Sequence, residues 1–573
     1  MSQPPIGAYE RLPATVEPWD PRAPEVAAAV AALIHASRPD LRVEHIGSSA
    51  VPGLAGKDVI DLAIACPAEA IPSVVALLHD LGFGPQTGPD PWPATRPMLV
   101  GSIVRGDASF RIHCHVQPGD DELRRDLAFR DALRADRSLA GAYAALKAGI
   151  VEGGPIDPLQ YAYQKQAWIA QTLQALGLGR QAIAPPATIG ILGGGQLGRM
   201  LGLAARAMGY RVAVLDPDPE CPATAVADRL VVGAYDDVEA ALRLSQLSDV
   251  VTYELEHVAV AVIEAIEERR PVRPGRMPLV VSQDRLAERR FIEAAGGEVA
   301  PWREVRSAAD LHRAAGELGL PLRLKTTTGG YDGRGQRRVE RSEEIDAALG
   351  QLGVTLGQPA LVERELAFEA ELSIVVARGT DGRTAAFPLA RNVHDRGVLV
   401  ESVAPAPVEQ EIAERALALG QRLAVAMGLV GTLTVELFLM SDGRLVVNEL
   451  APRVHNSGHW TIEGAATSQF EQHIRAICGL PLGSTHALAP TAIVNLLGRG
   501  PKREARLDPT SLDRALDDPA VHLHLYDKRQ VFDRRKMGHL TVQAEAAEAA
   551  LARARAAARA IRWIGEPREG TEG

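Results

Sequence analysis

Glu436 and Glu449 lie in a stretch, residues 431–460, that reads GTLTVELFLMSDGRLVVNELAPRVHNSGHW. Apolar runs at 432–439 and 445–450 flank Asp442-Gly443, the pattern of a β-hairpin. With that pair at the turn centre, or with a loop over 441–444, Glu436 and Glu449 become cross-strand partners; only an odd-length loop would shift them. Facing Cβ atoms in a hairpin are about 4.5–5.5 Å apart, and like charges there repel. Two carboxylates among apolar neighbours call for a cation. Mg²⁺ fits, because it takes one or two carboxylates and completes its shell from substrate phosphates. Arg453, His455, Asn456 and His459 follow directly, which puts anion-binding groups beside the acids.

Other stretches must position a ligand for those acids. A predicted strand at 321–325 ends in Lys325, and the loop after it, TTTGGYDGRG, holds four glycines within seven residues. Such a backbone can bring its N–H groups close to phosphates, although the closing Gly-Lys-Ser/Thr of a P-loop is missing. Residues 360–377 read as a connector between two lobes, a natural adenine slot with carboxylates for the ribose. Upstream, a buried strand at 188–192 leads into Gly193-Gly194-Gly195-Gln196-Leu197-Gly198, and the next strand, 211–215, ends at Asp216. That is a dinucleotide fingerprint, so a NAD enzyme is the rival reading. A phosphate at a helix N-terminus is a generic solution, however. The strand at 249–253 runs into Glu254, placing Tyr253 and Glu254 at a carboxyl end, where such sheets bind ligands.

The first part of the chain carries a separate set. Gly47-Ser48 closes a short strand at 41–46, Asp61 lies on a strand at 59–65, and a strand at 110–116 brings His113 and His115 to one face. A histidine couple of this kind reads as structural more readily than as a metal site. Gly177, Gly179 and Pro185-Pro186 then break the chain over 177–187. A length of 573 residues accommodates several domains. The net charge of −10, without a long block of one sign, argues against nucleic-acid binding. Four scattered cysteines give neither a disulfide framework nor a zinc site. No signal peptide or membrane span is readable, so a cytoplasmic protein with no membrane partner is expected.

Two resemblances follow. HIGSSAVPGLAGKDVIDLAI, RIHCHV, LAFRDAL and YAALK resemble the GrpB-like family, which has a nucleotidyltransferase-like fold. Nucleotidyltransferases pair a Gly-Ser turn with an Asp-x-Asp/Glu strand that holds metal. Here the strand reads Asp61-Leu62-Ala63, and Asp58 falls on the opposite face. The resemblance therefore implies nucleotide binding or tethering more than transfer, with Gly47, Ser48, Asp61, His113 and His115 as candidates. From residue 188 to about 545, GGGQLGRM, TYELEHV, QDRLAE, LKTTTGGYDGRGQ, AELSIVVAR, RNVH, VAPAP, the hairpin block and RRKMGH resemble the ATP-grasp N5-carboxyaminoimidazole ribonucleotide synthases.

The implied fold is α/β and α+β multidomain: a GrpB-like domain at 1–176, a linker at 177–187, a Rossmann-like pre-ATP-grasp subdomain at 188–282, ATP-grasp lobes at 283–480, and a small β-rich C-terminal subdomain with a terminal helix at 481–573. The implied activity is ATP-dependent carboxylation of 5-aminoimidazole ribonucleotide by bicarbonate through carboxyphosphate, in purine biosynthesis, by a homodimer that uses ATP and Mg²⁺. This disposes of NAD, the glycine-rich turn serving the ribonucleotide instead. The match, combined with the chemistry, assigns Glu436 and Glu449 to metal. Arg285, Lys325, Glu363, Glu371 and Asn448 go to ATP, and Tyr331, Arg334, Arg453, His455 and Asn456 to bicarbonate and carboxyphosphate. Gln196, Tyr253 and Glu254 face the ribonucleotide, and Lys528, Arg535 and Lys536 its phosphate. Two departures stand out: Tyr526-Asp527-Lys528 where Tyr-Gly-Lys is usual, and Thr327-Thr328 where a basic residue is common. The rivals are a formate-using ribonucleotide transformylase and an inactive nucleotide-binding regulator.

Overall fold

Strand alternation decides the first sheet. The computed structural model describes residues 4–86, 92, 96–179, 182–329, 335–353 and 358–566, and the chain divides into two units, Met1–Gln181 and Ala182–Gly573. In the first unit five strands run in the order Arg42–Ile46, Val59–Cys66, Ala108–Pro118, Met98–Arg105, Gly84–Pro85. The pair Val59–Cys66 and Ala108–Pro118 is parallel and the rest antiparallel. Ile60, Leu62, Ile64, Ile112, Cys114 and Val116 point to the face packed by helices Ala23–Ser37 and Ile71–Asp80. Successive side chains alternate across a sheet, so the other face receives Asp61, Ala63, His113 and His115.

The described residues of the second unit form three larger sheets and a two-stranded one, Arg503–Glu504 with Gln530–Val531. A parallel sheet runs Arg229–Val232, Arg211–Asp216, Thr188–Leu192, Val250–Tyr253. Its order reverses direction beside Thr188–Leu192, the crevice where open α/β sheets take ligands. An antiparallel sheet follows, in the order Trp302–Val305, Ala360–Arg364, Leu322–Thr326, Gln336–Val339. The large sheet begins at the edge strand Leu445–Ala451, then Gly431–Leu439, Ala370–Arg378, Ala390–Asp395 and Val398–Ala404. Helix Gln410–Ala426 buries Leu419, Leu423 and Ala424 against it, with Ile374, Val376, Leu433 and Val435. The sheet then continues through Thr491–Leu497, Lys536–Gln543 and Val521–Leu525. The strands of the expected β-rich C-terminal subdomain thus extend the large sheet. Helix Ala547–Ala560 covers that end through Ala550, Ala554 and Ala557. Among the described residues, no helix is long and apolar enough to cross a membrane.

Candidate active site

The hairpin pairs Glu436 with Glu449, by a route the sequence does not show. The turn is odd in length: Leu439 pairs with Leu445, Met440 closes on Arg444, and Gly443 takes a φ of +80°. A three-residue loop with a left-handed glycine is a standard hairpin solution. On its own it would shift the register by one. The pairing slips again between Glu436 and Leu437, with Val447 opposite Leu437, leaving Asn448 as an extra residue. This bulge restores the carboxylate pair. Glu436 is buried and Glu449 exposed. Burial first, and then the facing Glu449, push the Glu436 carboxyl up to about 7.

Histidines and a third acid, Glu371, gather around Glu436 and Glu449. Glu371 holds His394 through a 2.6 Å contact from the imidazole Nδ1. A register slip between Val393 and His394 marks that point of the strand. Burial lowers the affinity of His394 for a proton, but the bond to Glu371 and the charges of Glu436 and Glu449 outweigh it, so its pKa is raised. His455 presents Nε2 to Glu436 at 3.3 Å. Its Nδ1 accepts from the Ser457 amide, which leaves the proton on Nε2, facing the carboxylate. Burial and then Arg453 keep this imidazole neutral. Gln469 clamps the backbone of His455 at both N–H and C=O, and Ser373 holds the Ser457 hydroxyl. Asn456 is buried, and neither of its amide atoms has a hydrogen-bond partner among the described residues. A native structure rarely leaves such atoms unpaired without reason. Arg453 is held by Glu256 at 2.8 Å. His459, by contrast, is fully buried against Phe470, Tyr526 and His539 and bonded to Gln469, away from the acids.

Lys325 reaches the site through a buried network. Its ammonium pairs with Glu363, whose other oxygen accepts from Arg289 at 3.0 Å. Arg289 also pairs with Glu288 at 2.9 Å, and Glu288 accepts the Leu450 amide at 2.6 Å, next to Glu449. Burial would raise Glu363, but Lys325 and then Arg289 bring it down to about 2. Glu288 moves the other way, up to about 7, because burial exceeds the pull of Arg289. Both Glu363 oxygens are thus engaged in fixing Lys325 and Arg289, not offered to a ribose. Glu288, Arg289 and His394 are not among the residues that the sequence singles out. In RLAERRF the helix Arg285–Ala294 looks like a solvated charged face; only the apolar residues Leu286 and Phe291, followed by Ile292, hint at which side is inward. Arg285 donates to the Thr326 carbonyl at the mouth of the glycine-rich loop. Tyr331 and Arg334, in that loop, lie outside the described residues.

At the parallel sheet, the Gly193–Gly195 turn packs on acids. The Glu254 carboxylate accepts from the amides of Gly195 at 2.7 Å and Gly198 at 3.0 Å, and Asp216 accepts from Gly194 at 2.7 Å. Glu254 thereby occupies the N-terminus of helix Gln196–Ala207, where a dinucleotide phosphate would be. A Cβ at Gly195 would come within 2.5 Å of Glu254. Tyr253 is fully buried, with its hydroxyl on the Gly275 carbonyl, and lines no open wall, contrary to the expectation that it faces a ligand. Gln196 does reach the C-terminal strands: Lys528 donates to its Oε1 at 2.8 Å and to the Lys536 carbonyl at 2.7 Å. Arg535 donates to Gln530 and lies over Phe532. Asp527 adopts a φ of +57°, the left-handed conformation that glycine takes without cost, and its carboxylate pairs with Arg199 at 3.3 Å. In the first unit, Asp61, His113 and His115 converge beside Gly47 and Ser48.

Known proteins match both units. The family model of the ATP-grasp domain matches residues 290–470, that of the ribonucleotide synthetase preATP-grasp domain 186–283, and that of the phosphoribosylaminoimidazole carboxylase C-terminal domain 491–553. The GrpB protein model matches residues 13–175. The second unit is therefore an ATP-grasp ligase, preceded in the chain by a GrpB domain. The N5-carboxyaminoimidazole ribonucleotide synthase of Bacillus subtilis is 43% identical over 366 residues, 64% of this chain and 93% of that protein. That of Brucella melitensis is 42% identical over 362 residues, 63% of this chain and 98% of its own length. Of solved structures, the synthetase from Thermus thermophilus matches at 40% identity with a TM-score of 0.60, covering 66% of this chain and all of that one (100%). The Aspergillus clavatus synthase in complex with ADP and 5-aminoimidazole ribonucleotide matches at 31% and 0.59, covering 65% and 98%. The chain belongs to the N5-carboxyaminoimidazole ribonucleotide synthase family.

Proposed function

We propose that the second unit couples ATP cleavage to carboxylation of 5-aminoimidazole ribonucleotide, with bicarbonate as the carbon source. A bicarbonate oxygen attacks the γ-phosphorus, ADP leaves, and the resulting carboxyphosphate is attacked at carbon by the substrate amine as phosphate departs. The observation that carries this reading is the convergence of Glu436, Glu449, Glu371 and His394 with His455 and the unpartnered Asn456 amide.

Glu436 and Glu449 would hold Mg²⁺. The donor set fits, since burial and the facing Glu449 make the ionised form of Glu436 costly, and a divalent cation between the two carboxylates offsets that cost. When bound, the ion neutralises charge on the triphosphate oxygens. The Lys325–Glu363–Arg289–Glu288 network presents Lys325 to the nucleotide and ties it to the metal-bearing strand. Arg453, fixed by Glu256, offers a guanidinium fork suited to a planar anion, and the Asn456 amide supplies one donor and one acceptor for bicarbonate. His455, neutral with its proton on Nε2, can donate to an anion without adding a full charge. Lys528, joined to Gln196 and to the Lys536 carbonyl, faces the ribonucleotide phosphate together with the Lys536 side chain, and the Asp527 carboxylate nearby is paired with Arg199.

Phosphate release from ATP tests the reading. Release should require bicarbonate and 5-aminoimidazole ribonucleotide together, and formate should not replace bicarbonate. Equal release with formate would transfer the assignment to a transformylase.

A further inference from the structure

The first unit holds a cluster that the ligase chemistry does not use. Parallel pairing sets Asp61 level with His113 and Ala63 level with His115. The histidines therefore stand beside the position where a nucleotidyltransferase strand would carry its second acid. His113 Nδ1 and His115 Nε2 both approach Asp61 Oδ1, at 3.3 and 3.2 Å. One ligand atom from each residue lies within 4.8 Å of the others. At metal–ligand bonds of about 2.0–2.2 Å, donors around a single ion are separated by roughly 3 Å, so little movement is needed to enclose one.

We propose that Asp61, His113 and His115 form a site for a divalent transition-metal ion that opens onto the neighbouring cleft. Two imidazoles and one carboxylate select Zn²⁺, Fe²⁺, Mn²⁺ or their neighbours over Mg²⁺, and leave coordination positions free. Three features of the surroundings support this. His113 is already oriented through its second nitrogen, 2.9 Å from the Tyr9 hydroxyl, as a metal-binding histidine is by its outer partner. Gly47 has a φ of +74°, and a Cβ there would meet Asp61 Oδ2 at 2.6 Å, so the turn closes directly over the carboxylate. A cavity of about 250 Å³, lined by Asp61, His115, Ser48, Lys57 and Lys165, adjoins the cluster. It gives the open positions somewhere to receive a ligand. The three side chains are only 9–16% exposed, so an ion there would be largely shielded from water.

Cobalt provides the test. The full chain, stripped with chelator and kept in millimolar Mg²⁺, should bind one equivalent of Co²⁺ with visible d–d absorption that Zn²⁺ displaces. That signal should persist in Glu449→Gln, which alters the acids of the ligase. It should weaken at least about a hundredfold in affinity in the paired His113→Gln, His115→Gln variant. X-ray absorption of the Zn²⁺-loaded wild type needs no variant and should show two imidazole ligands. Absence of Co²⁺ binding by the wild type, one imidazole or none at zinc, or a signal lost in Glu449→Gln and kept in the histidine variant would each overturn the proposal.

Discussion

Glu436 and Glu449 face each other because two register shifts cancel, one made by the odd turn at Ser441–Gly443 and the other by the bulge at Asn448. The extra residue is what aims both carboxylates to one place, a common use of a bulge at a functional site.

Glu449→Gln should lower ATP turnover by about two orders of magnitude or more, since one acid would remain to hold the cation. Glu449 is exposed and supports no core packing, so circular dichroism and melting temperature should stay at wild-type values. Ordinary phosphate release by this variant at ordinary Mg²⁺ would remove the metal assignment.

Arg453→Lys keeps the charge and loses the planar fork held by Glu256. Nucleotide affinity should stay within about threefold while bicarbonate-dependent turnover falls roughly ten- to a hundredfold. Calorimetry with ADP and steady-state kinetics separate the two. A collapse of ADP binding with bicarbonate dependence unchanged would put Arg453 in the nucleotide site.

Arg289 bridges Glu288 and Glu363 in the buried network. Arg289→Met would leave Glu363 with Lys325 alone and Glu288 without a cation, at a cost of about 3–5 kcal/mol. Glu288→Gln should be much milder, because a carboxyl raised to about 7 is close to half neutral already. Chemical denaturation of both variants decides; equal losses would contradict the network.

Much of this site was legible because its residues fall in short, contiguous stretches: the hairpin acids, the Arg453–Asn456 run, the glycine-rich turn. The rest depends on pairing between distant segments. Nothing near Asp61 announces that a parallel partner about fifty residues on will set His113 beside it. His394 joins Glu371 across neighbouring strands, and Glu288 and Arg289 are acids and bases in a charged helix until the strand bearing Leu450 covers them. The hairpin carries its own lesson: the expected pair was right, but a four- or two-residue loop was the wrong reason. A bulge leaves no mark in an apolar pattern. Glu363 and Tyr253 went the other way, since residue type suggested a ligand and burial gave each a structural partner.

His473 joins two sheets of the second unit. Its Nδ1 accepts the Thr432 amide at 3.2 Å, and its other nitrogen meets the Thr252 hydroxyl at 2.8 Å. Burial lowers its pKa to about 3. The unfolded chain therefore takes up a proton below the ordinary 6.5 while the folded one does not. The stability this residue contributes is full above pH 6.5 and is lost as pH falls from there toward 3. The slope is up to about 1.4 kcal/mol per pH unit. Urea titrations between pH 6.5 and 4.5 should show a shallower slope for His473→Asn than for wild type; parallel slopes would mean that His473 is already charged in the fold.

The central claim is that ATP phosphorylates bicarbonate. Bicarbonate labelled with ¹⁸O, supplied with ATP and 5-aminoimidazole ribonucleotide, tests it most directly. The bridging oxygen of carboxyphosphate comes from bicarbonate and leaves with phosphorus, so the released phosphate should carry one ¹⁸O. Unlabelled phosphate, formed at the same rate as carboxylated product, would contradict the account.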